Sequence, residues 1–319
     1  MPVPFPRKPA FRPLAAILAA SCLAVLASAS AQEAGLAGEV RTTEFGGVTR
    51  EYYLYLPPDL PEGAPLLVVL HGRGGTMQGM ARLTGFDDLA AERGFAVVYP
   101  QGIENQWNYV EGIEGFDVES DDIGFLPALV DELVTAHGLD ATRVYVAGFS
   151  NGGYMAERLA CEARDTFAAF ATVGAAGFAD MPRVCGAGAP VSLLMMHGTA
   201  DEVVPYGGMV FDTPNGRVTL LASVQQTISY WAAYAGCGTD VTSRSVPPTG
   251  RSPGTQVHVF SVRGCPDGHE VELVVVQGGG HVWPGHPGDL PPEAAARVNR
   301  DIDASEYIWE FFARQPALE

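Results

Sequence analysis

The apolar residues of this chain are concentrated in short runs that almost exclude polar residues. Each run has four to six residues and is rich in valine, leucine and alanine. Such runs are typical of strands that are buried on both faces of a parallel sheet. The predicted strands are Leu66–Leu70, Phe95–Tyr99, Val144–Ala147, Ala169–Val173 and Val191–Met196. An earlier strand is predicted at Glu51–Leu56, and two later strands at Val257–Val262 and Val271–Val276.

The segments between these runs show helical periodicity. One helix is predicted by the spacing i, i+3, i+4, i+7, i+8 of Leu126, Leu129, Val130, Leu133 and Val134, and it ends at His137-Gly138. Further helices are predicted at Phe86–Arg93, Tyr154–Cys161, Val218–Ala235 and Ala304–Ala313. Strands that alternate with helices indicate βαβ units. The sequence therefore predicts an α/β fold with a doubly wound, mostly parallel sheet and helices on both faces.

The first 31 residues have the pattern of a secretory signal peptide. Basic residues precede the apolar run Leu14–Ala27, and Ala29-Ser30-Ala31 forms a small-residue cleavage site. An apolar run of this length is too short to span a bilayer. We predict a signal peptide at 1–31, an extracellular protein that begins at Gln32, and a single domain at 32–319. Lipid anchoring at Cys22 and a periplasmic location are the alternatives. Lipid anchoring is less favoured because Ala19 stands where a bulky aliphatic residue is usual.

Loss of this leader makes an acidic chain more acidic. It removes three of the 19 basic residues and none of the 37 acidic ones, so the net charge changes from −18 to −21. Such a surface repels phosphate backbones and anionic lipids, which argues against nucleic-acid and membrane partners. A hydrophobic content of 47% fits a protein with a buried core and excludes a disordered or collagen-like chain. We expect a monomer.

Four cysteines remain once the leader is removed. Their even number and the predicted export favour disulfides. No C-x-x-C pair is present, which argues against a zinc or thioredoxin-type site, and no metal is expected. Pairing of nearest neighbours predicts the bridges Cys161–Cys185 and Cys237–Cys265.

The segment Val144–Gly153 combines a strand, the motif G-x-S-x-G and the start of a helix. This context predicts a nucleophile elbow, in which Ser150 lies on a strained turn and small residues let the strand and helix pass closely. The helix amino end directs unpaired N–H groups at the reaction, so the amide of Asn151 is a candidate oxyanion donor. The alternative is a glycine-rich turn with an unreactive serine.

A serine nucleophile needs a basic partner, and His281 is the preferred candidate among seven histidines. It follows the last predicted strand through Gly278–Gly280, at the carboxyl edge where open α/β sheets place their sites. His286 and His197 are the competing candidates. The orienting acid is expected between serine and histidine in the chain, as in α/β-hydrolases. Asp201 follows the strand Val191–Met196 and fits this order, with its neighbour Glu202 as the alternative.

A second oxyanion donor is expected after the strand Leu66–Leu70. The chain continues there as His71-Gly72-Arg73-Gly74-Gly75, whose small residues allow backbone amides to approach a substrate oxygen. We predict the amide of Arg73 as this donor, with Gly74 as the alternative.

With these residues, the chain resembles the secreted esterases that include polyhydroxybutyrate depolymerases and family-one feruloyl and acetylxylan esterases, within the α/β-hydrolases. The matching stretches are LHGRGG at Leu70–Gly75, DDIGF at Asp121–Phe125, GFSNGGYM at Gly148–Met155, HGTADEVVPY at His197–Tyr206 and GGGHVWPG at Gly278–Gly285. The resemblance covers roughly residues 38–315. It implies a Ser150–Asp201–His281 triad, two-step acyl transfer to water, and no metal or organic cofactor. Polymer-degrading relatives often add a linker and a substrate-binding module. The sequence contains neither, so we expect soluble esters rather than insoluble polyester.

Aromatic residues close to these motifs are candidates for the substrate pocket. Trp107, Tyr206 and Trp283 are predicted to flank the acyl or alcohol group, with core packing as the alternative. Asp121 and Asp122 are predicted to cap a helix rather than to contact substrate. The expected substrates are short-chain or aromatic carboxylic esters or hydroxyalkanoate oligomers.

Two other functional classes fit the sequence less well. A serine peptidase of the prolyl-oligopeptidase type would have the same triad order, but such enzymes usually carry a large amino-terminal propeller. Only about twenty residues of the predicted mature chain precede the first strands here. A non-catalytic binding protein on a hydrolase scaffold would be expected to lack a triad residue, and all three are present.

Overall fold

A ten-stranded sheet forms the centre of the described chain, which in this computed structural model comprises residues 35–110, 118–178, 181–213, 216–286, 290 and 292–318. Its strands, in spatial order, are β1 (Glu39–Phe45), β2 (Val48–Tyr55), β4 (Ala96–Pro100), β3 (Leu66–Leu70), β5 (Val144–Phe149), β6 (Ala169–Val173), β7 (Ser192–Gly198), β12 (Val271–Gln277), β11 (Gln256–Val262) and β10 (Val241–Ser245). The six central strands, from β4 to β12, are parallel, and the outer strands pair antiparallel. The predicted α/β fold with a mostly parallel sheet is confirmed. Two further strands, β8 (Met209–Thr213) and β9 (Gly216–Leu221), form a separate hairpin.

Helices cover both faces of this sheet. They are α1 (Met77–Thr84), α2 (Phe86–Arg93), α3 (Asp122–His137), α4 (Asn151–Glu162), α5 (Met181–Cys185), α6 (Val224–Tyr234), α7 (Pro292–Ala295) and α8 (Ala304–Ala313). Alternation along β5 shows the two faces, because successive side chains of a strand point in opposite directions. Tyr145 stacks on Phe312 of α8 with ring centroids 4.9 Å apart. Its neighbours Val144 and Val146 belong to the core that contains Met155 of α4.

The two aspartates before α3 have different roles. The side chain of Asp121 accepts a hydrogen bond from the amide of Gly124 at 2.8 Å, so the predicted cap is confirmed for this residue. The prediction is wrong for Asp122, whose buried carboxylate pairs with Arg50 at 2.8 Å. Asp122 also accepts from the amide of Asn108, and it thereby fixes the segment that precedes α3 to strand β2.

The predicted helix Val218–Ala235 is wrong at its beginning. Strand β9 occupies the first part of that range, and α6 starts only at Val224. The reason is a capping box: Ser223 Oγ accepts from the amide of Gln226 at 3.2 Å, and Gln226 Oε1 accepts from the amide of Ser223 at 2.9 Å. These reciprocal bonds satisfy two amides that a helix beginning would leave unpaired.

Both predicted disulfides are present, Cys161–Cys185 and Cys237–Cys265. The first joins the end of α4 to α5, and the second joins the segment after α6 to the segment after β11. The predicted signal peptide and Cys22 lie outside the described residues. Within the described ranges, no helix is long and apolar enough to span a membrane.

Candidate active site

The turn between β5 and α4 places Ser150 in a backbone conformation that few residues adopt. Its φ is 54° and its ψ is −116°, and α4 begins at the next residue. A side chain at Gly148 would collide with the carbonyl of Gly152, and one at Gly152 would collide with the carbonyl of Leu70. Glycines are therefore required where β5, α4 and β3 pass each other. The turn has the form of the predicted nucleophile elbow, which holds Ser150 at the carboxyl edge of the sheet.

Ser150, His281 and Asp201 form a continuous chain of hydrogen-bonding contacts. Ser150 Oγ lies 2.9 Å from His281 Nε2, and His281 Nδ1 lies 2.7 Å from Asp201 Oδ2. The Asp201 side chain is fully buried and the His281 side chain is 15% exposed. One ring nitrogen of His281 thus faces the serine hydroxyl and the other faces the carboxylate, which is the geometry of a Ser-His-Asp triad.

The loop after β7 orients the carboxylate of Asp201. Its Oδ1 accepts hydrogen bonds from the amides of Val203 and Val204 at 2.9 and 2.8 Å, which leaves Oδ2 for His281. Glu202, the alternative acid, has a side chain that is 79% exposed and binds Arg297 at 2.9 Å. The geometry therefore favours Asp201 over Glu202.

The loop before His281 is fixed to the loop after β7, here called the acid loop because it contains Asp201, by backbone and side-chain contacts. The amide of Ala200 donates to the carbonyl of Gly279 at 2.8 Å. Arg297 donates to the carbonyl of Ala200 at 3.1 Å, and its side chain packs so closely against Gly280 that a Cβ there would lie 3.1 Å from it. The residues next to Asp201 and His281 are thus held together, which keeps the two side chains in contact.

The amide of Asn151 remains the predicted oxyanion donor. It belongs to the first residue of α4, so it has no acceptor within the helix. Arg73 lies in the exposed loop after β3. The amide of Gly74, the alternative donor, is already bonded to the carbonyl of Asn105 at 2.7 Å. This contact argues against Gly74 as the donor.

His71 stabilises the loop that carries Arg73. The amide of Gly102 donates to His71 Nε2 at 3.0 Å, so this nitrogen carries no proton, and Nδ1 lies 2.8 Å from the carbonyl of Gly72. Burial lowers the pKa of His71, which favours the neutral ring that this pattern needs. His71 is therefore a structural residue of the loop that carries Arg73.

Comparisons with known proteins identify the family. Over 282 residues the chain is 33% identical to NocK from Nocardia uniformis subsp. tsuyamanensis, which is an esterase by name. The matched region covers 85% of this chain and 81% of NocK. The chain is 30% identical over 230 residues to feruloyl esterase B from Thermothelomyces thermophilus, covering 69% of this chain and 67% of that enzyme. The family model Esterase PHB depolymerase matches residues 50–205. The chain belongs to this esterase family.

The fold of the esterase agrees with that assignment. The acetyl xylan esterase from Aspergillus awamori superposes with a TM-score of 0.58 at 15% identity, over 86% of this chain and 99% of that one. The predicted α/β-hydrolase fold is thereby confirmed, as is the predicted resemblance. The family also confirms the predicted enzyme class, a carboxylic ester hydrolase.

Two of the three aromatic residues predicted to contact substrate are buried in this esterase. Neither Trp107 nor Trp283 has any exposed surface. The indole N–H of Trp107 donates to the carbonyl of His71 at 3.0 Å, and that of Trp283 donates to Ser305 Oγ at 3.0 Å. The prediction of substrate contact is therefore wrong for both residues, because their rings are covered by other parts of the chain. Tyr206 is half-buried, beside the ring of His197, and stays a candidate.

The two competing histidines have partners other than Ser150. His286 Nε2 binds Asp303 at 2.7 Å, and His197 is buried behind the acid loop. Sequence reasoning missed His71 and Arg297 as supports of the site. His71 had a visible signal, its place at the end of an apolar strand before the glycine-rich loop. Arg297 had none, since its partners are distant in the chain. No cluster of metal-ligating side chains occurs among the residues that the structure describes.

Proposed function

We propose that this chain is a secreted serine esterase that hydrolyses carboxylic esters through an acyl-enzyme on Ser150. The observation that carries the proposal is the contact chain from Ser150 Oγ through His281 to the buried carboxylate of Asp201, at 2.9 and 2.7 Å. The strained conformation of Ser150 at the start of α4 supports it, since it presents the hydroxyl beside the amides of a helix terminus.

The first half-reaction forms the acyl-enzyme. Ser150 Oγ attacks the ester carbonyl while His281 Nε2 takes the hydroxyl proton, and the amides of Asn151 and Arg73 bind the oxyanion. The intermediate collapses when the C–O bond to the alcohol breaks and His281 returns the proton to the leaving oxygen. Asp201 fixes the ring orientation and stabilises the imidazolium.

The second half-reaction releases the acid. A water attacks the acyl carbonyl as His281 takes one of its protons, and the same amides bind the oxyanion. Collapse breaks the bond to Ser150 Oγ, which recovers its proton from His281. One ester and one water thus give one alcohol and one carboxylic acid, with the enzyme unchanged.

Short-chain or aromatic esters and hydroxyalkanoate oligomers are the proposed substrates. Relatives named feruloyl esterase and poly(3-hydroxyalkanoate) depolymerase support both possibilities. The described connection between β6 and β7 contains a short helix, α5, in place of a long apolar lid. Val203 is exposed and its amide binds Asp201, and the ring of Tyr206 lies beside His197. These two side chains are the proposed contacts for a compact acyl or alcohol group.

Secretion is proposed from the amino-terminal sequence and the disulfides. The leader pattern places the cut after Ala31, and Cys161–Cys185 and Cys237–Cys265 fit an oxidising compartment. The intact mass of the exported protein tests this. A chain that begins at Gln32 is expected, and a lipidated chain that begins at Cys22 would contradict it.

Turnover of p-nitrophenyl esters by matched serine variants tests the catalytic proposal. Ser150→Ala and His281→Ala should each lower turnover by about 10⁴- to 10⁶-fold, and Asp201→Asn by less. Ser245→Ala, on the exposed edge strand β10, should keep wild-type turnover. We expect kcat/KM to fall beyond about C6–C8 acyl chains. Near wild-type activity of Ser150→Ala would contradict the mechanism, and faster turnover of the palmitate than the butyrate ester would contradict the substrate class.

A further inference from the structure

His197 lies at the end of β7, behind the carboxylate of Asp201. Its side chain is fully buried. Ring atom Nε2 lies 2.9 Å from the carbonyl oxygen of Val204 and 3.6 Å from Asp201 Oδ2, while Nδ1 lies 3.2 Å from the carbonyl oxygen of Ala175. His197 has no part in the proton transfers, although its Nε2 faces the same carboxylate oxygen, Asp201 Oδ2, that His281 Nδ1 contacts.

The surroundings decide which nitrogen of His197 carries the proton. Burial lowers the pKa of the ring, against the opposing effect of the Val204 carbonyl and the Asp201 carboxylate, so the ring is neutral and has one N–H. That N–H belongs on Nε2, because Nε2 makes the shorter carbonyl contact and also faces the carboxylate. The charged or titratable groups that act on the ring are Asp201 and His281.

Val204 connects His197 to the acid. Its amide donates to Asp201 Oδ1 at 2.8 Å, while its carbonyl faces Nε2 of His197. The turn that orients Asp201 is therefore held through both backbone polar groups of Val204. On the other side of the ring, Ala175 follows Gly174, whose positive φ of 63° brings its backbone against the ring of His281. His197 thus lies between the segments that support the acid and the base.

We propose that His197 is a positioning residue for the reaction. Its Nε2–H donates a hydrogen bond to the Val204 carbonyl and thereby keeps the turn that carries Asp201 in place against His281. The inference rests on the proposed Ser150–His281–Asp201 triad. It predicts a defect in kcat rather than in KM, because the residue acts through Asp201 and does not touch substrate. A displacement of about 1 Å in a catalytic group can lower the rate by roughly 10²-fold.

A pair of variants of similar length separates hydrogen bonding from packing. His197→Gln places an N–H donor near the position of Nε2, and His197→Met has a similar reach without a donor. We expect kcat of the Gln variant within about threefold of wild type and kcat of the Met variant lower by about 10- to 100-fold, with KM within about twofold in both. The acid limb of the kcat/KM profile should move to lower pH in the Met variant alone, because a displaced Asp201 stabilises the His281 imidazolium less.

The measurements are made on folded protein at a temperature well below the unfolding transition of each variant. Equal kcat in the Gln and Met variants, or an unchanged acid limb in a Met variant of low kcat, would overturn the proposal. Ser150→Ala is measured in parallel as a separate control. If Ser150→Ala is inactive and the Met variant resembles wild type, only the role of His197 fails. If Ser150→Ala is active, the proposed triad itself fails.

Discussion

The side chain of Asn151 bonds to the backbone of Trp107 in both directions. Asn151 Oδ1 accepts from the Trp107 amide at 2.6 Å, and Asn151 Nδ2 donates to the Trp107 carbonyl at 3.2 Å. The residue that follows the proposed nucleophile therefore fixes the segment after β4. This segment in turn holds the loop that carries Arg73, because the Trp107 indole donates to the carbonyl of His71.

Replacing Asn151 by Leu should weaken the fold as well as the reaction. The variant removes the acceptor of the buried Trp107 amide, while the Trp107 carbonyl keeps a hydrogen bond from the amide of Tyr109 at 3.1 Å. An unpaired buried amide costs about 1–3 kcal/mol. We expect the free energy of unfolding in urea to fall by about 1–3 kcal/mol, and kcat to fall as the loop that carries Arg73 shifts. Ser150→Ala, one residue away, is the control and should change stability by less than about 1 kcal/mol. Wild-type stability of Asn151→Leu would contradict the structural role of this pair.

Trp283 should support stability rather than substrate affinity. Its ring packs edge-on against Phe86 and Phe149, with centroids 6.2 and 6.3 Å away, and has no exposed surface. Trp283→Ala should therefore lower the free energy of unfolding by about 3–5 kcal/mol, while KM of the folded fraction stays unchanged. Trp309→Ala, which removes a ring stacked on Phe95, is a matched control with the same expectation. A KM that rises only in Trp283→Ala, without loss of stability, would restore substrate contact for this residue.

Glu157 should make the protein less stable as the pH rises. It lies on α4, fully buried, and burial raises the pKa of its carboxyl to about 8. Between its ordinary pKa and about 8, the unfolded chain has released this proton and the folded chain has kept it. The free energy of unfolding therefore falls with rising pH across that range, and the dependence ends above pH 8.

The matched variant for this effect is Glu157→Gln, which keeps the shape and cannot ionise. At pH 5 the two proteins should have similar stability, since Glu157 is neutral in the folded state. At pH 8 the Gln variant should be more stable than wild type by a few kcal/mol, as each pKa unit corresponds to about 1.4 kcal/mol. Urea denaturation at both pH values measures the difference. A difference between the variants that does not change with pH would contradict a neutral Glu157.

The sequence was sufficient to predict the parts of the molecule whose structure is local. The apolar runs at β3 and β6 match the observed strands, because a strand buried on both faces contains few polar residues. Ser150, Asp201 and His281 were predicted because each follows a predicted strand, and the carboxyl ends of parallel strands meet at one edge of the sheet. Their order along the chain was taken from the pattern of α/β-hydrolases. The edge strand β10 was missed because all five of its residues are exposed and show no apolar pattern.

Burial of the large aromatic residues depends on distant partners and could not be read from their position in a motif. Trp283 follows His281 closely, but its indole bonds to Ser305 of α8 and its ring faces Phe86 of α2. The wrong beginning of α6 had a local signal, the Ser223 and Gln226 pair that forms the capping box. A search for capping residues would have corrected that boundary from the sequence.

The most direct test of the account is the site of the acyl group during turnover. The enzyme is mixed with p-nitrophenyl butyrate, quenched in acid within the first turnovers, digested and examined by peptide mass spectrometry. The account predicts one butyryl group on the peptide that contains Ser150, attached to that serine, and none in Ser150→Ala. Butyrylation of a different residue in the wild type, with turnover that persists in Ser150→Ala, would contradict it.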